Sequence, residues 1–449
     1  MSENQHELLG RREFVKQAGV TGLLLSGGGV LAACGVKKSA VGGSSSTIRI
    51  GYVSPLTGEA ASFGEPDSYV LGVVRKAVAN GITGSDGKHY KVEILQKDSQ
   101  SSPQTAASVA SDLINGSQVD LMLTTSTPEV VNPVSDTCEA AGTPCISTVV
   151  PWQAWYFGRG AKPTNPKAFK YTYHFSFGVE NFAKTYISQW HLLPTNKVVG
   201  ALYPNDSDGN AIRAGLIPLL EKGGFKVVDA GAYNDGLNDF SAQISKFKAN
   251  NCQILNTFPL PPDFATFWRQ AIQQGYKPII AQIAKTGLFP SQVEALGNLG
   301  PGLATGAYWH PVWPYSSSLT GLSGTQMRDG YEATGKQWSQ QLGADFALWD
   351  AGIAALKHAP NPKDKLGLAN SIQTLAVDTP MGRLDWTKGP VKNVVDTVIP
   401  GCQWYKSPPG SKFPLELLMT EHADDPSIPL QTKLVRYGAP AKTSSAAGV

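Results

Sequence analysis

Long apolar runs are scarce in this chain of 449 residues, and past its first 34 none reaches the ~20 apolar residues that span a bilayer. Strong charge of one sign is missing too. With 38 basic and 35 acidic residues the net charge is +3. An excess so small and dispersed argues against a nucleic-acid-binding protein. Cysteine is sparse, five in all, and no CxxC pair offers metal spacing. There is no GxSxG elbow and no HExxH signature. His174, His191 and His310 are scattered without a convincing carboxylate partner and read as structural. These absences weigh against a secreted hydrolase and imply no enzyme activity, no metal and no cofactor.

What is present begins with an address label. Arg11-Arg12-Glu13-Phe14-Val15-Lys16 is a paired-arginine signal, followed by an uncharged, glycine-rich stretch from Ala18 to Ala33. Leu31-Ala32-Ala33-Cys34 resembles a lipobox. Arginines, apolar stretch and small-residue cleavage site, in that order, describe a bacterial export signal. The stretch is 16 residues with five glycines, too short and too glycine-rich for a membrane anchor. Gly10 stands where paired-arginine signals usually carry Ser or Thr, so the export route stays open. The mature chain is expected to start at Cys34, whose thiol is nucleophilic enough to take the lipid. Residues 1–33 form the signal and 34–46 a lipidated cysteine with a flexible Gly/Ser tether. Residues 438–449 read as a disordered tail.

The remaining cysteines, Cys138, Cys145, Cys252 and Cys402, sit in an oxidising compartment on this reading. Cys138 and Cys145 are close enough in sequence to bridge a helix end to the next strand. Four buried free thiols are an equal alternative.

From Thr47 onward strands and helices alternate. Thr47–Ser54, Tyr90–Gln96, Asp120–Thr124 and Cys145–Val150 read as strands, and 66–80, Pro103–Asn115 and Pro128–Ala141 as helices. Pro151–Lys170 breaks the pattern as a long, aromatic-rich loop. Alternation restarts at Tyr171–Phe177 and runs to a helix over 291–296. Strand Leu303–Trp309, helices near 323–334, 345–358 and 366–375, and a last strand Val398–Tyr405 follow. The expected class is α/β: two Rossmann-like lobes with open parallel sheets, joined by several chain crossings. Lobe 1 takes 47–170 plus 306–389, and lobe 2 takes 171–305 plus 390–437.

The segments IRIGYVSPLTGEAASFGEP, KVEILQKDSQSSPQTAASVASDLI, VDLMLTTSTPEVVNPVSDTCEAAGTPCIST, DFSAQISKFKANNCQIL and PMGRLDWT, in that order behind a lipobox, carry a resemblance. The chain resembles the type I periplasmic solute-binding proteins of ABC transporters, in the branched-chain amino-acid (leucine/isoleucine/valine) binding family. The likeness runs from about Thr47 to about Tyr437. It implies two lobes closing over a small solute and docking on membrane permease subunits. The protein would be monomeric and exported, periplasmic or at the cell surface, tethered to the membrane by lipid on Cys34. Ligands of open α/β sheets bind at the carboxyl ends of the strands, which agrees.

The site residues follow from those strand ends. Ser126 and Thr127 lie between a strand and a helix start, where hydroxyls and backbone N–H groups suit an anion. The resemblance implies a ligand carboxylate there; the plain alternative is that Thr127 caps the helix at Pro128. Phe63 matches a place where amino-acid binders carry an aromatic against the ligand, with loop packing the alternative. Val149 and Trp152 mark the turn after the fourth strand, where Pro151-Trp152 departs from the small or hydroxyl residue of the amino-acid pattern. Trp155 and Tyr156 read as packing. On the second lobe Asp208 could reach the cleft or cap its helix, and Asn205–Asn210 lacks the spacing of an EF-hand. Phe258 and Lys285 complete that rim. Amino-acid binders tend to have an acid near Lys285, so a lysine entering the cleft would favour an anion; its common fate is the solvated surface. Trp309, His310 and Trp313 lie on a crossing segment that could border the cleft, and Trp309 is counted with the ligand-binding residues.

The expected function is therefore capture of a small polar or amphipathic, amino-acid-like solute for an ABC importer. Trp152 and Lys285 make an aromatic acid, an amide or a modified amino acid comparable candidates. A ligand sensor on the same fold is the alternative, with a secreted hydrolase behind it.

Overall fold

A strand covered by helices on both faces is written as an unbroken apolar run, and Leu121–Thr125 is buried at every position. The computed structural model describes residues 47–439 apart from 163, 167 and 168. The export signal, Cys34, the tether and the tail beyond Ala439 lie outside the described residues.

The strands begin with β1 (Thr47–Ser54), β2 (Ile82–Thr83), β3 (His89–Asp98), β4 (Leu121–Thr125), β5 (Cys145–Thr148) and β6 (Thr172–Phe175). Helices α1 (Asp67–Ala77), α2 (Pro103–Asn115), α3 (Pro128–Ala141) and α4 (Trp152–Gly158) run between them. Next come α5 (Val179–Trp190), β7 (Val198–Leu202), α6 (Ser207–Lys222), β8 (Lys226–Asp229), α7 (Ser241–Ala249) and β9 (Ile254–Thr257). Then follow α8 (Pro261–Gln273), β10 (Ile280–Ile283), α9 (Pro290–Glu294) and β11 (Ala304–Gly306). The chain closes with α10 (Gly324–Glu332), α11 (Gln340–His358), α12 (Lys365–Ile372), β12 (Ala376–Thr379) and β13 (Gly382–Asp385). The last strands are β14 (Val394–Val395), β15 (Gly401–Lys406) and β16 (Leu415–Met419).

Two seven-stranded sheets result, in the orders β14-β6-β5-β4-β1-β3-β2 and β16-β15-β11-β10-β9-β7-β8. In the first, the chain leaves β1 for β3 on one side and returns to β4 on the other. In the second, β7 has β8 and β9 as its neighbours. Those reversals open crevices at the carboxyl ends of the strands. The backbone passes between sheets three times: after β6, after β11 and between β14 and β15. α11 is buried at every position from Gln340 to Ile353. It packs on β4 and β5 and on α1, the burial expected of a helix inside a core. Trp349 meets Tyr52 of β1 edge to face at 5.5 Å, a contact worth ~0.5–1.5 kcal/mol beyond burial.

Several expectations need correction. Thr172–Phe175, expected to open the second lobe, pairs with β5 in parallel, Cys145 opposite Thr172, and belongs to the first sheet. β14, expected on the second lobe, pairs with β6, so the first sheet reaches beyond residue 389. Local pattern shows that a strand exists; neighbour choice is decided by distant chain, and that was not readable. Pro151–Lys170 is not a bare loop: α4 occupies its start, with Trp155 stacked on His174 at 5.0 Å. A third, two-stranded sheet exists, β12 with β13. The four cysteines are buried and free.

Candidate functional site

β4 ends at Thr125, and the chain turns sharply at Ser126, φ +147°, before Thr127 enters α3. Pro128 at the first helical position needs no amide partner there. Thr127 takes the N-cap position, but its side chain makes no capping hydrogen bond. The capping alternative therefore does not account for its hydroxyl. Ser126 is 1 % exposed, and its Oγ is buried without a hydrogen-bond partner. A buried hydroxyl left unpaired costs roughly 1–3 kcal/mol, an arrangement natural where a ligand supplies the partner.

β5 ends in the same way. Val149 sits at φ +78°, a conformation unfavourable for a β-branched residue. His174 staples this turn: its Nε2 bonds the Val150 carbonyl at 2.8 Å and its Nδ1 meets Ser147 Oγ at 2.8 Å. Burial pushes His174 down to about 3, so the imidazole stays neutral. Lys285, after β10, is a third strained residue at φ +40°. Ser126, Val149 and Lys285 all line one cleft, and clustered strain of this kind marks ligand clamps.

The second-lobe wall carries charge. Lys285 Nζ lies 3.0 Å from Asp206 Oδ2 and 3.1 Å from Asp208 Oδ2, with all three side chains buried. Asp206 caps α6 by accepting from Gly209 N, so capping falls to Asp206, not Asp208. Asp208 Oδ1 is buried with no partner. Burial pushes Asp208 up to about 6 against the pull of Lys285. For Lys285, burial works downward, but Asp206 and Asp208 outweigh it and hold the ammonium well above its usual range. Lys285 is thus neither a solvated lysine nor a free anion site, because two carboxylates already hold it.

Between these ends the walls are aromatic. Phe177 stacks on Tyr308 at 5.7 Å, and Phe182 meets Phe258 edge to face at 5.2 Å. Phe63 meets Phe289 of the other lobe at 4.8 Å. The lobes also touch through Gln292 Nε2 to Ser62 Oγ at 3.1 Å and Ser207 N to Glu129 Oε1 at 3.3 Å. The cleft holds about 470 Å³ of atom-free space, part of it continuous with solvent.

The structure gathers Phe63, Ser126, Thr127, Val149, Asp208, Phe258 and Lys285 around this cleft. It leaves Trp152 and Trp309 outside the lining. Trp152 packs on Tyr156 and Phe157, and its ring fills the space a Cβ on Gly178 would need. Trp309 is fully buried against Trp338 and Gly343. His310 bonds the Leu417 carbonyl at 2.9 Å and is held down to about 4 by burial. Phe177, Phe182, Tyr186 and Tyr308 were missed. Phe182 and Tyr186 stand four apart on α5, a spacing that shows a shared face but not what the face meets. Among the described residues no group of three or more His, Cys, Asp or Glu could hold a metal ion.

The family model described as periplasmic binding protein matches residues 47–396. No curated protein matches in sequence. Among solved structures, the leucine-binding protein LivK of Thermotoga maritima is 18 % identical, with 83 % of this chain and 97 % of that chain covered at a TM-score of 0.65. The branched-chain amino-acid substrate-binding protein LivJ of Streptococcus pneumoniae, in complex with isoleucine, is 17 % identical over 87 % of this chain and 99 % of that chain, TM-score 0.63. An ABC-transporter solute-binding protein of Rhodopseudomonas palustris, in complex with 3,4-dihydroxybenzoic acid, is 16 % identical over 88 % and 99 %, TM-score 0.63. At these identities the likeness establishes the fold.

Proposed function

The chain belongs to the periplasmic binding protein family, and on that premise we propose that it is the extracytoplasmic solute receptor of an ABC importer. It captures a small amphipathic solute between its lobes and hands it to permease subunits. The observation that carries this reading is the Ser126–Thr127 turn: an unpartnered buried hydroxyl at a helix start, facing a cleft with aromatic walls. An acceptor group of the solute, a carboxylate foremost, would fill that place. Across the cleft Asp208 Oδ1 offers an acceptor for a donor on the same solute. The aromatic walls take the apolar body. Solved relatives hold isoleucine and 3,4-dihydroxybenzoic acid, and both amino acids and aromatic acids satisfy this pattern.

The test is a thermal-shift panel of amino acids, aromatic acids and amides. A solute at a thousandfold over its Kd stabilises the fold by ~4 kcal/mol. Ser126→Ala and Thr127→Ala should each weaken the best solute roughly tenfold to a hundredfold, the worth of a charge-assisted hydrogen bond. Unchanged affinity in both variants removes this site assignment.

The lipid-anchored location rests on the paired arginines and the lipobox ending at Cys34. Fatty-acid labelling that survives Cys34→Ser would contradict it.

A further inference from the structure

Behind the first-lobe wall, two carboxyl groups meet inside the core. Asp67 of α1 is 2 % exposed and Asp345 of α11 is fully buried. Asp67 accepts from Tyr52 Oη at 2.9 Å, from Ser54 Oγ and from Gln96 Nε2 at 2.8 Å. Asp345 Oδ1 accepts from Gln341 Nε2 at 2.6 Å, while its Oδ2 is buried with no donor at all. Asp67 is the acid that acts on Asp345, within side-chain hydrogen-bond reach. Two carboxylates in contact in a dry core cannot both stay ionised. One proton between them resolves the clash and gives Asp345 Oδ2 its missing partner. Asp67 has three donors to stabilise its charge and Asp345 has one, so the proton belongs on Asp345.

The ionisable groups facing the pair are Tyr52 of β1, Tyr331 of α10 and Tyr308 of the crossing segment. Among the described residues no cation acts on Asp345; beyond burial, Asp67 and Gln341 act on its charge. Burial pushes both acids up, Asp67 to about 6 and Asp345 further.

Gln341 joins this pair to the cleft. Its Nε2 also donates to Thr125 Oγ1 at 2.9 Å, and its Oε1 accepts from Tyr308 Oη at 3.2 Å. Thr125 is the residue before the Ser126 turn, and Tyr308 lines the cleft on a segment that crosses between lobes. Gln340 fastens the same segment, accepting from Tyr308 N at 3.0 Å and donating to the Gly306 carbonyl at 3.2 Å.

We propose that Asp345 carries a proton at neutral pH, donates it to Asp67, and so fixes Gln341 as a positioning residue for the Ser126 turn and the Gly306–Tyr308 crossing. Loss of that proton sets two buried carboxylates against each other, moves Asp345 and frees Gln341. The cleft is therefore linked to one proton. That this linkage reaches solute affinity rests on the function proposed above; the proton and the grip of Gln341 do not, and the experiment needs no solute.

The first measurement is an infrared difference spectrum, wild type minus Asp345→Asn, at pH 7. The carbonyl stretch of a protonated carboxylic acid is expected in wild type and lost in the variant. No such difference overturns the proposal. The second is hydrogen exchange by mass spectrometry at pH 7 and 9, corrected for intrinsic rates. In wild type, exchange around Thr125–Thr127 and Gly306–Tyr308 is expected to rise at pH 9, and in Asp345→Asn to stay level. Gln341→Ala, which leaves both acids in place, should raise exchange in both segments roughly tenfold at either pH, as for one lost buried hydrogen bond. Gln341→Ala with unchanged exchange, or wild type with no rise at pH 9, overturns the positioning role even if Asp345→Asn fails to fold.

Discussion

Lys285 shows how one side chain changes meaning with its surroundings. As a lone lysine in a cleft it would recruit an anion. Buried between Asp206 and Asp208 it is a counter-ion inside the protein, and with both aspartates ionised the trio carries one net negative charge. Lys285→Met strands two buried carboxylates, a change that typically costs ~3–5 kcal/mol. The deficit should depend on pH in a known direction. Asp208 is raised above its unfolded value, so the folded state binds extra protons and stability contributed by this group falls as pH rises towards 6. Without Lys285 that preference for the protonated form grows. Urea unfolding of wild type and variant should therefore converge near pH 5 and separate by pH 8. A gap independent of pH would show that the aspartates are not what Lys285 balances. Ser126 and Val149 teach a related lesson. Their backbone strain is held in place by neighbours such as His174, which sit far away in sequence.

At the scale of elements, helices were read more surely than strand partners. α3 spans Pro128–Ala141 as its proline start and apolar spacing predict, and Gly142 in the left-handed region, φ +65°, ends it. β6 was found but assigned to the wrong sheet, because Thr172–Phe175 looks alike whichever neighbour it takes. α4 hid inside an aromatic-rich segment whose helical character comes from packing on α3 and α6. At the site, hydroxyl and acidic residues at strand ends were legible, since helix starts and strand ends announce themselves locally. The aromatic wall was not, because Phe177 and Tyr308 meet only where chain crossings bring them together. Trp309 was expected in the cleft and instead locks α11, filling the space beside Gly343 so closely that a Cβ there would lie 2.0 Å from its ring. Gly343→Ala should lower stability by ~1–3 kcal/mol or more, as overpacking does. Paired with Trp309→Phe, it should lose less than the single changes summed. Calorimetry showing Gly343→Ala as stable as wild type would contradict the wedge.

At the scale of the molecule, three crossings, a cleft at the switch points of two sheets and cross-lobe contacts at Ser62, Phe63 and Glu129 form one arrangement. Such an architecture suits hinge closure around a solute. The central claim is that the solute is held at the Ser126–Thr127 turn with its body among the aromatic rings. A crystal structure with the best solute of the thermal-shift panel tests this most directly. The account predicts an acceptor atom of the solute within about 3 Å of Ser126 Oγ, a donor facing Asp208, and the apolar body between Phe63 and Tyr308. A second cavity is lined by His310, Trp338 and Leu417, and solute density there, with the cleft unfilled, would contradict it.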